Sequence, residues 1–326
     1  GEIEGLTAVL TQTDACDQHQ LAANVAEITA ILKGFDTYGE VTFTTDPDEY
    51  GKYWAIRSGI FPTVGGMRKP GTTCLIEDVA FHIEDLPEAV KDLSELLERH
   101  GYDDSCIYGH ALEGNFHFIV NQSFSTDSEA ARYKAMMEDV VELVVKKYDG
   151  SLKAEHGTGR NMAPYVEYEW GTKAFEVMKR LKKILDPQGI LNPGVIFNDD
   201  PECCFKNFKA LPLLSAGEDA TEDMHEAYAR LNKCIECGFC EVNCVSCGLT
   251  LSSRTRIALQ REIAHLASTG SDPQRLSALR KQYDYYGEQT CAGDGLCSMS
   301  CPMGINVADM THEIRRQKRG SLAKGT

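Results

Sequence analysis

A dense run of cysteines, CIECGFCEVNC at positions 234–244, constrains this chain more than any other feature of its sequence. Its spacing is C-x2-C-x2-C-x3-C, which wraps a short loop around a cubane iron–sulfur cluster: three thiolates bind one cluster and the fourth points at a second. The cysteines of this run are Cys234, Cys237, Cys240 and Cys244. Structural zinc sites favour two separated CxxC pairs, and disulfides suit small secreted chains, so the spacing predicts iron–sulfur binding.

A second cysteine run follows about 45 residues later, with the spacing C-x5-C-x3-C and then Pro302. It consists of Cys291, Cys297 and Cys301. Asp294 occupies the position where the second cysteine of the motif is expected. Two such runs in one chain strengthen the iron–sulfur prediction.

The chain is acidic, with a formal net charge of −16 and a pI near 5.0. This balance argues against nucleic acid or an anionic membrane as a direct partner. No run of the sequence approaches the ~18 apolar residues of a membrane span. Eight of the 13 cysteines lie between Cys234 and Cys301, and crowding at cluster spacing predicts a reducing, cytoplasmic setting.

Strand and helix patterns alternate through the first 200 residues. Strands are predicted around 6–10, 41–45, 79–83 and 116–120, with amphipathic helices between and after them. The predicted helices span 20–33, the stretch from Pro87 to Gly101, 128–147 and 167–185. Recurring strand–helix–strand units predict an α/β or α+β layer with helices on one face.

The character of the sequence changes near residue 200, where prolines, acids and small residues predict a linker over 201–225. Beyond it the pattern is helical, over 254–267, 273–283 and 305–318. The predicted organisation is a domain at 1–200, a linker, and a mostly α-helical cluster domain at 226–326.

Two segments carry candidate metal ligands. HALEGNFH, residues 110–117, has His110 and His117 on either side of a predicted turn that could fold them toward one point; two histidines near a turn are more often unrelated. KAEHGTGRNMAP, residues 153–164, adds Glu155 beside His156, before glycines that permit close approach of a ligand. Two histidines and a carboxylate with an open position suit a metal that polarises a substrate oxygen, and a neighbouring histidine is a candidate base.

A third segment, WAIRSGIFPTVGGMRKPG at 54–71, places Arg57, Arg68 and Lys69 among glycines and prolines. Cations in such a loop of an acidic chain predict binding of an anion, and arginine suits a carboxylate. Arg68 beside Lys69 leaves room for a second carboxylate. The alternative is a solvated loop whose charges bind nothing.

Several phrases together resemble the C-terminal half of the FAD-linked D-2-hydroxyacid dehydrogenases, over about residues 40–310. The phrases are FTTDPDEY, WAIRSGIFPTVGG, IEDVA, YGHALEGNFHF, YDGSLKAEHGTGRNMAPY and LDPQGILNPGVIFNDDP. The most similar members are the large bacterial D-lactate or D-2-hydroxyglutarate dehydrogenases with a fused iron–sulfur domain. The resemblance implies an α+β fold: a ferredoxin-like antiparallel sheet with packed helices, the cap domain of vanillyl-alcohol-oxidase-like flavoenzymes, followed by a mostly α-helical ferredoxin domain.

The resemblance also assigns roles to individual residues. It implies that a divalent metal, zinc or similar, is held by His110, His117 and Glu155. It implies that His156 takes the hydroxyl proton, and that Arg57 and Lys69 bind the substrate carboxylate. It places Asn192, in the phrase LNPG, where the cap approaches the flavin.

The chain departs from the family pattern in its flavin domain and in its cysteines. The FAD-binding domain that precedes the cap in this family is missing, so we expect a fragment or one piece of a split enzyme. The crossed rule predicts a 4Fe–4S cluster on Cys234, Cys237, Cys240 and Cys301. The second cluster would use Cys244, Cys291 and Cys297, with Asp294 or Cys247 fourth. An oxygen ligand would make that cluster labile, with a three-iron form as the hypothesis.

These features lead to two functional hypotheses. The first is an oxidoreductase that converts a D-2-hydroxy acid to the 2-oxo acid with FAD. It would pass electrons through two clusters to a quinone or electron-transfer protein. Its expected location is the cytoplasm or the inner face of a membrane. The second is a non-catalytic electron-transfer or assembly subunit that docks to a separate flavoprotein. Metal content and 2-hydroxy acid binding discriminate between them.

Overall fold

The computed structural model describes residues 6–324 and divides the chain into two compact units, Gly1–Ile60 and Phe61–Thr326. In the first unit, helix α1 spans Gln18–Leu32, and Asp17 caps it by accepting a hydrogen bond from the backbone N–H of Gln20. Residues 6–10 and 41–45 form no strand, so those two predictions are wrong. A strand is stable only beside a partner, and no strand is described before residue 73.

Helix α2 spans Pro47–Met67, starting in the first unit and ending in the second. The prediction of a loop over 54–71 is therefore wrong as far as Met67. Gly65 and Gly66 serve packing: a Cβ on Gly65 would lie 2.8 Å from Cγ2 of Ile235, and one on Gly66 would lie 2.0 Å from Sδ of Met303.

The second unit contains a three-stranded antiparallel sheet, built from β1 (Thr73–Ala80), β2 (Cys106–His110) and β3 (Asn115–Gln122). The strand order is β1-β3-β2, so β3 is central. In this register His117 of β3 lies opposite Asp78 of β1 and Tyr108 of β2.

Helices α3 (Leu86–Arg99) and α4 (Asp127–Val141) pack on the sheet, and a π-helical segment, Glu142–Lys147, continues α4. The apolar core lies between these elements; its fully buried members include Val79, Phe118, Leu93, Met136 and Val140. Helix α5 follows at Val166–Leu185 and is kinked at Gly171. The predicted α+β fold is confirmed.

The cysteine-rich part is helical, as predicted. Its helices are α6 (Glu222–Leu231), α7 (Ser253–Thr269), α8 (Pro273–Tyr283) and α9 (Val307–Lys324), and a π-helical segment, Asp284–Gln289, follows α8. The segment 201–221 has no regular secondary structure beyond turns and bends. The proposed domain boundaries at 200 and 225 stay predictions. Between residues 6 and 324, no helix has both the length and the apolar character to cross a membrane.

Candidate metal centres

The three predicted metal ligands converge at one end of the sheet. Nε2 of His117 lies 2.8 Å from Oε1 of Glu155, and Nε2 of His110 lies 3.5 Å from the same oxygen. One ligand atom from each of the three lies within 4.8 Å of the others. His117 is buried, whereas His110 and Glu155 are about half exposed. The donors are thus two imidazole nitrogens and a carboxylate on a side open to solvent, which fits a divalent metal with a free coordination position.

The turn between β2 and β3 brings the two histidines together, as the sequence predicts. A 3₁₀ turn at Ala111–Glu113 ends at Gly114, whose φ is +63°. A Cβ on Gly114 would lie 2.1 Å from the carbonyl oxygen of Phe81, so only glycine fits this close approach. The turn places His110 opposite Asn115 and leaves His117 two residues further along the central strand.

Asp78 fixes the other side of this centre from a fully buried position. Its Oδ2 accepts hydrogen bonds from three successive backbone N–H groups, those of Ala154, Glu155 and His156, at 2.8, 2.8 and 2.9 Å. Its Oδ1 accepts one from Nδ2 of Asn115 at 2.6 Å and lies 3.3 Å from Nδ1 of His117. Asp78 therefore positions both the Glu155 loop and the His117 ring.

Burial alone would raise the pKa of Asp78. The nearby His117 imidazole and the hydrogen bonds from Asn115 and from the backbone N–H groups of His156 and Glu155 outweigh burial, and the pKa falls well below its usual range. Asp78, His117 and His156 also satisfy the distances of a metal-binding set. Because both oxygens of Asp78 already accept hydrogen bonds, we read Asp78 as the residue that orients a ligand.

The role of Asp78 was missed by the sequence reasoning, although IEDVA was among the phrases that carried the resemblance. The available signal was an acidic pair inside an apolar strand. Its other member, Glu77, is also buried; it accepts hydrogen bonds from Lys153 and Asn161, both at 2.7 Å. Both carboxylates of β1 therefore hold the loop that carries Glu155.

His156 lies against the candidate metal ligands. Its ring stacks on that of His117, with centroids 4.6 Å apart and planes 3° from parallel. Its Nε2 lies 3.7 Å from Oε1 of Glu155, and its side chain is 38% exposed. An imidazole beside the open face of the centre has the geometry of a candidate base, and that role stays a prediction.

The predicted substrate cations lie on or near α2. Arg57 lies within the helix in the first unit, and Lys69 is exposed just after its end in the second. Their binding of a carboxylate stays a prediction. Arg68 is buried, and its guanidinium donates to the carbonyl oxygens of Gly65, Thr72, Lys233 and Cys234. The prediction that Arg68 helps to bind a second carboxylate is thus wrong, because its guanidinium already donates to main-chain carbonyl oxygens.

Asn192 lies in the loop after α5, in the left-handed region with φ +42°. The loop is bonded to the segment that follows His156: the backbone N–H of Ile196 donates to the carbonyl of Gly159 at 2.9 Å, and Arg160 donates to the carbonyl of Pro193 at 3.0 Å. The loop that carries Asn192 is thus bonded to Gly159 and Arg160, shortly after His156 in the chain. Contact of Asn192 with a flavin stays a prediction.

The cysteine thiols of the two runs lie close to one another, across the two predicted ligand sets as well as within them. Burial raises the pKa of the Cys240 thiol, and the neighbouring thiols Cys297, Cys301 and Cys237 raise it further. Burial raises the pKa of Cys234 to about 11, and Cys240 adds to that rise. Burial likewise raises the pKa of Cys297, whose further thiol neighbours are Cys291 and Cys244.

The three cysteines predicted for the second cluster line a cavity that is partly open to solvent. Its walls include three thiols, one carboxylate and one guanidinium: Cys244, Cys291, Cys297, Asp294 and Arg256. Three thiols around a hollow of this kind fit an iron–sulfur cluster. The ligand assignments for both clusters stay predictions.

Arg256 was not singled out by the sequence reasoning, yet it is 1% exposed beside this cavity. It donates to the carbonyl of Gly287 at 2.6 Å and to the hydroxyls of Ser246 and Thr290 at 3.0 and 3.1 Å, and it lies 3.7 Å from Sγ of Cys244. Burial would raise the pKa of Cys244, but hydrogen bonds from Ser246 and Ser253 and the charge of Arg256 together lower it. The site therefore favours the thiolate, the form that binds metal.

Comparison with known proteins places both parts of the chain. Residues 3–196 match the family described as FAD linked oxidases, C-terminal domain, and residues 230–305 match the 4Fe-4S dicluster domain.

Relatives include the glycolate oxidase subunit GlcD of Bacillus subtilis, 28% identical over 178 residues, which are 54% of this chain and 36% of that protein. The D-2-hydroxyglutarate dehydrogenase of Stutzerimonas stutzeri is 31% identical, with coverages of 44% and 30%. A mitochondrial D-lactate dehydrogenase (cytochrome) of Arabidopsis thaliana is 30% identical, with coverages of 50% and 28%. The chain thus spans about a third of the length of these relatives.

Proposed function

We propose that this chain, which belongs to the family of FAD linked oxidases, C-terminal domain, through residues 3–196, is part of an enzyme. That enzyme would oxidise a D-2-hydroxy acid to the 2-oxo acid. The substrate would be of the D-lactate or D-2-hydroxyglutarate class, which two of the relatives are named for. The observation that carries the proposal is the convergence of His110, His117 and Glu155 on one point beside His156.

The centre has a role for each side chain. A divalent cation such as zinc, when bound there, supplies a Lewis acid for the substrate's oxygens. His110, His117 and Glu155 would hold it, and Asp78 keeps the His117 ring in place from behind. His156 would accept the hydroxyl proton at Nε2, and Arg57 and Lys69 would neutralise the substrate carboxylate.

The redox cofactor of this proposal is FAD, which supplies the hydride acceptor from an FAD-binding domain upstream or on another chain. Asn192 would meet it, because its loop is bonded to the segment next to His156. Helix α5, which precedes this loop, carries exposed apolar side chains at helical spacing: Val177, Leu181 and Ile184, each more than half exposed. These side chains support the docking of such a domain.

Electrons would leave through the cysteine-rich part. The two predicted sets of cluster ligands would hold two clusters. These clusters would carry electrons one at a time to an acceptor such as a quinone or an electron-transfer protein. One-electron carriers next to a two-electron flavin explain why the two parts share one chain.

The test is metal and substrate binding by the cluster-loaded chain. We expect the wild type to bind one zinc ion and then a D-2-hydroxy acid, measured by calorimetry with D-lactate and D-2-hydroxyglutarate. Glu155→Gln should weaken zinc binding at least ~10-fold, whereas His225→Ala, an exposed histidine of α6, should not change it. Clusters without metal or acid binding would instead favour a non-catalytic electron-transfer subunit.

Activity of the chain combined with its FAD-binding domain tests the base. His156→Ala should lower kcat by ~10²–10⁴-fold, the usual contribution of a positioned base. Near-normal turnover in this variant would defeat the assignment.

A further inference from the structure

The two cysteine loops have the same backbone geometry around one position. In the first loop, Cys237 lies between Glu236 and Gly238, whose φ values are +60° and +89°. In the second, Asp294 lies between Gly293 and Gly295, whose φ values are +71° and +74°. Gly238 and Gly295 are each followed directly by a 3₁₀ helix, Phe239–Asn243 in the first loop and Leu296–Ser298 in the second. The second loop thus presents Asp294 in the way that the first presents Cys237.

The cavity distinguishes between the two candidates for the fourth ligand. Asp294 lines it together with Cys244, Cys291 and Cys297. Cys247 is exposed and does not line it, although Val245 and Ser246, its near neighbours, do. Asp294 is also held locally, because its Oδ1 accepts the backbone N–H of Leu296 at 3.1 Å.

We propose that Asp294 supplies a carboxylate ligand at one corner of the second cluster, that Cys247 supplies none, and that this corner holds an exchangeable iron. The inference rests on the two-cluster part of the proposed function. Thiolate is the soft ligand that iron–sulfur clusters prefer, and carboxylate is a harder, weaker ligand for such iron. Asp294 is solvent-exposed, so an oxidant and released iron can both pass. The equivalent corner of the first cluster has the thiolate of Cys237 and keeps its iron.

The exchange balances in atoms and electrons. An outer-sphere oxidant such as ferricyanide takes one electron from a [4Fe–4S]²⁺ core, and the iron at the Asp294 corner leaves as Fe²⁺. A [3Fe–4S]⁺ core remains on the three thiolates. Fe²⁺ with a one-electron reductant such as dithionite reverses the step. No sulfide is lost, so the three-iron core stays in the cavity.

The experiment compares the anaerobically reconstituted full chain with two variants before and after ferricyanide. The wild type should lose one iron per chain and acquire the EPR signal of an oxidised three-iron cluster, and Fe²⁺ with dithionite should reverse both changes. Asp294→Cys should keep all its iron under the same treatment, since cysteine already fits this backbone at Cys237. Cys247→Ser, the matched control, should behave as the wild type.

Four results would overturn the inference. Asp294→Cys could lose iron as readily as the wild type, or Cys247→Ser could lose the second cluster altogether. A wild type that holds two clusters and releases iron from neither would remove the exchangeable corner alone. A wild type that takes up one cluster would remove the two-cluster proposal as well, so the two failures are distinguishable by the iron and sulfide count before oxidation.

Discussion

The histidine centre and the cysteine centre are surrounded by buried charges of opposite sign. Behind the histidines lies the buried carboxylate of Asp78, whose neighbour Glu77 is paired with Lys153. Around the cysteines lie three buried guanidiniums, Arg68, Arg256 and Arg261, each at most 4% exposed. A site for a divalent cation gains from buried anions, and a site for thiolates and their negatively charged cluster gains from buried cations. The buried charges therefore fit what we propose for each centre.

The two centres also differ in what their buried charges contact. Asp78 bonds directly to the loop that carries Glu155 and His156 and contacts His117. Arg68 and Arg261 instead donate to the same carbonyl oxygen, that of Cys234. Asp78 thus holds its loop through main-chain N–H groups and also contacts the ring of a candidate ligand, His117, whereas Arg68 and Arg261 hold the first cysteine loop through a main-chain carbonyl.

The largest loss of stability is expected for a substitution at Asp78. Asp78→Ala leaves three backbone N–H groups and one N–H of the Asn115 amide without their acceptor, so the free energy of unfolding should fall by about 3–5 kcal/mol. Urea unfolding of the apo-protein measures it. Asp103→Ala, an exposed aspartate, should change it by less than about 0.5 kcal/mol. A loss below about 1 kcal/mol at Asp78 would show that the loop is held by other contacts.

The matching change at the cysteine centre is Arg256→Met, which keeps apolar volume and removes the buried charge. The carbonyl of Gly287 loses its donor and Cys244 loses its neighbouring cation. We therefore expect the free energy of unfolding, measured with urea, to fall by about 2–3 kcal/mol. Arg254→Met is the control, since its pair with Glu241 is partly exposed and contributes about 0–1 kcal/mol. Equal losses in the two variants would contradict a special role for the buried guanidinium.

A smaller effect separates packing from charge near the cysteines. Gly66→Ala in α2 places a methyl group against the side chain of Met303. We expect the free energy of unfolding to fall by only about 1 kcal/mol, because a methionine side chain can move. Gly51→Ala in the same helix meets open space and should stabilise by about 0.5–1 kcal/mol. Thermal unfolding compares the two. The same sign in both variants would contradict the packing of α2 at Gly66.

Sequence spacing predicted what is local. The cysteine loops, the turn at Ala111–Glu113 and most helices follow from residues close together in the chain. The role of Asp78 follows from the register that pairs it with His117, 39 residues later, and no local pattern encodes that pairing. The same reason explains α2: its glycines pack against Ile235 and Met303, far along the chain, and alone they resemble a loop. The strands predicted at 6–10 and 41–45 failed because β propensity has no effect without a partner strand.

Zinc-edge X-ray absorption of the zinc-loaded chain shows whether a metal on His110, His117 and Glu155 takes a D-2-hydroxy acid. We expect imidazole nitrogen and carboxylate oxygen at about 2.0–2.2 Å from the zinc, no sulfur at about 2.3 Å, and additional oxygen once the D-acid is added. A sulfur shell would assign the zinc to the cysteines. A spectrum that does not respond to the acid would contradict the proposed binding.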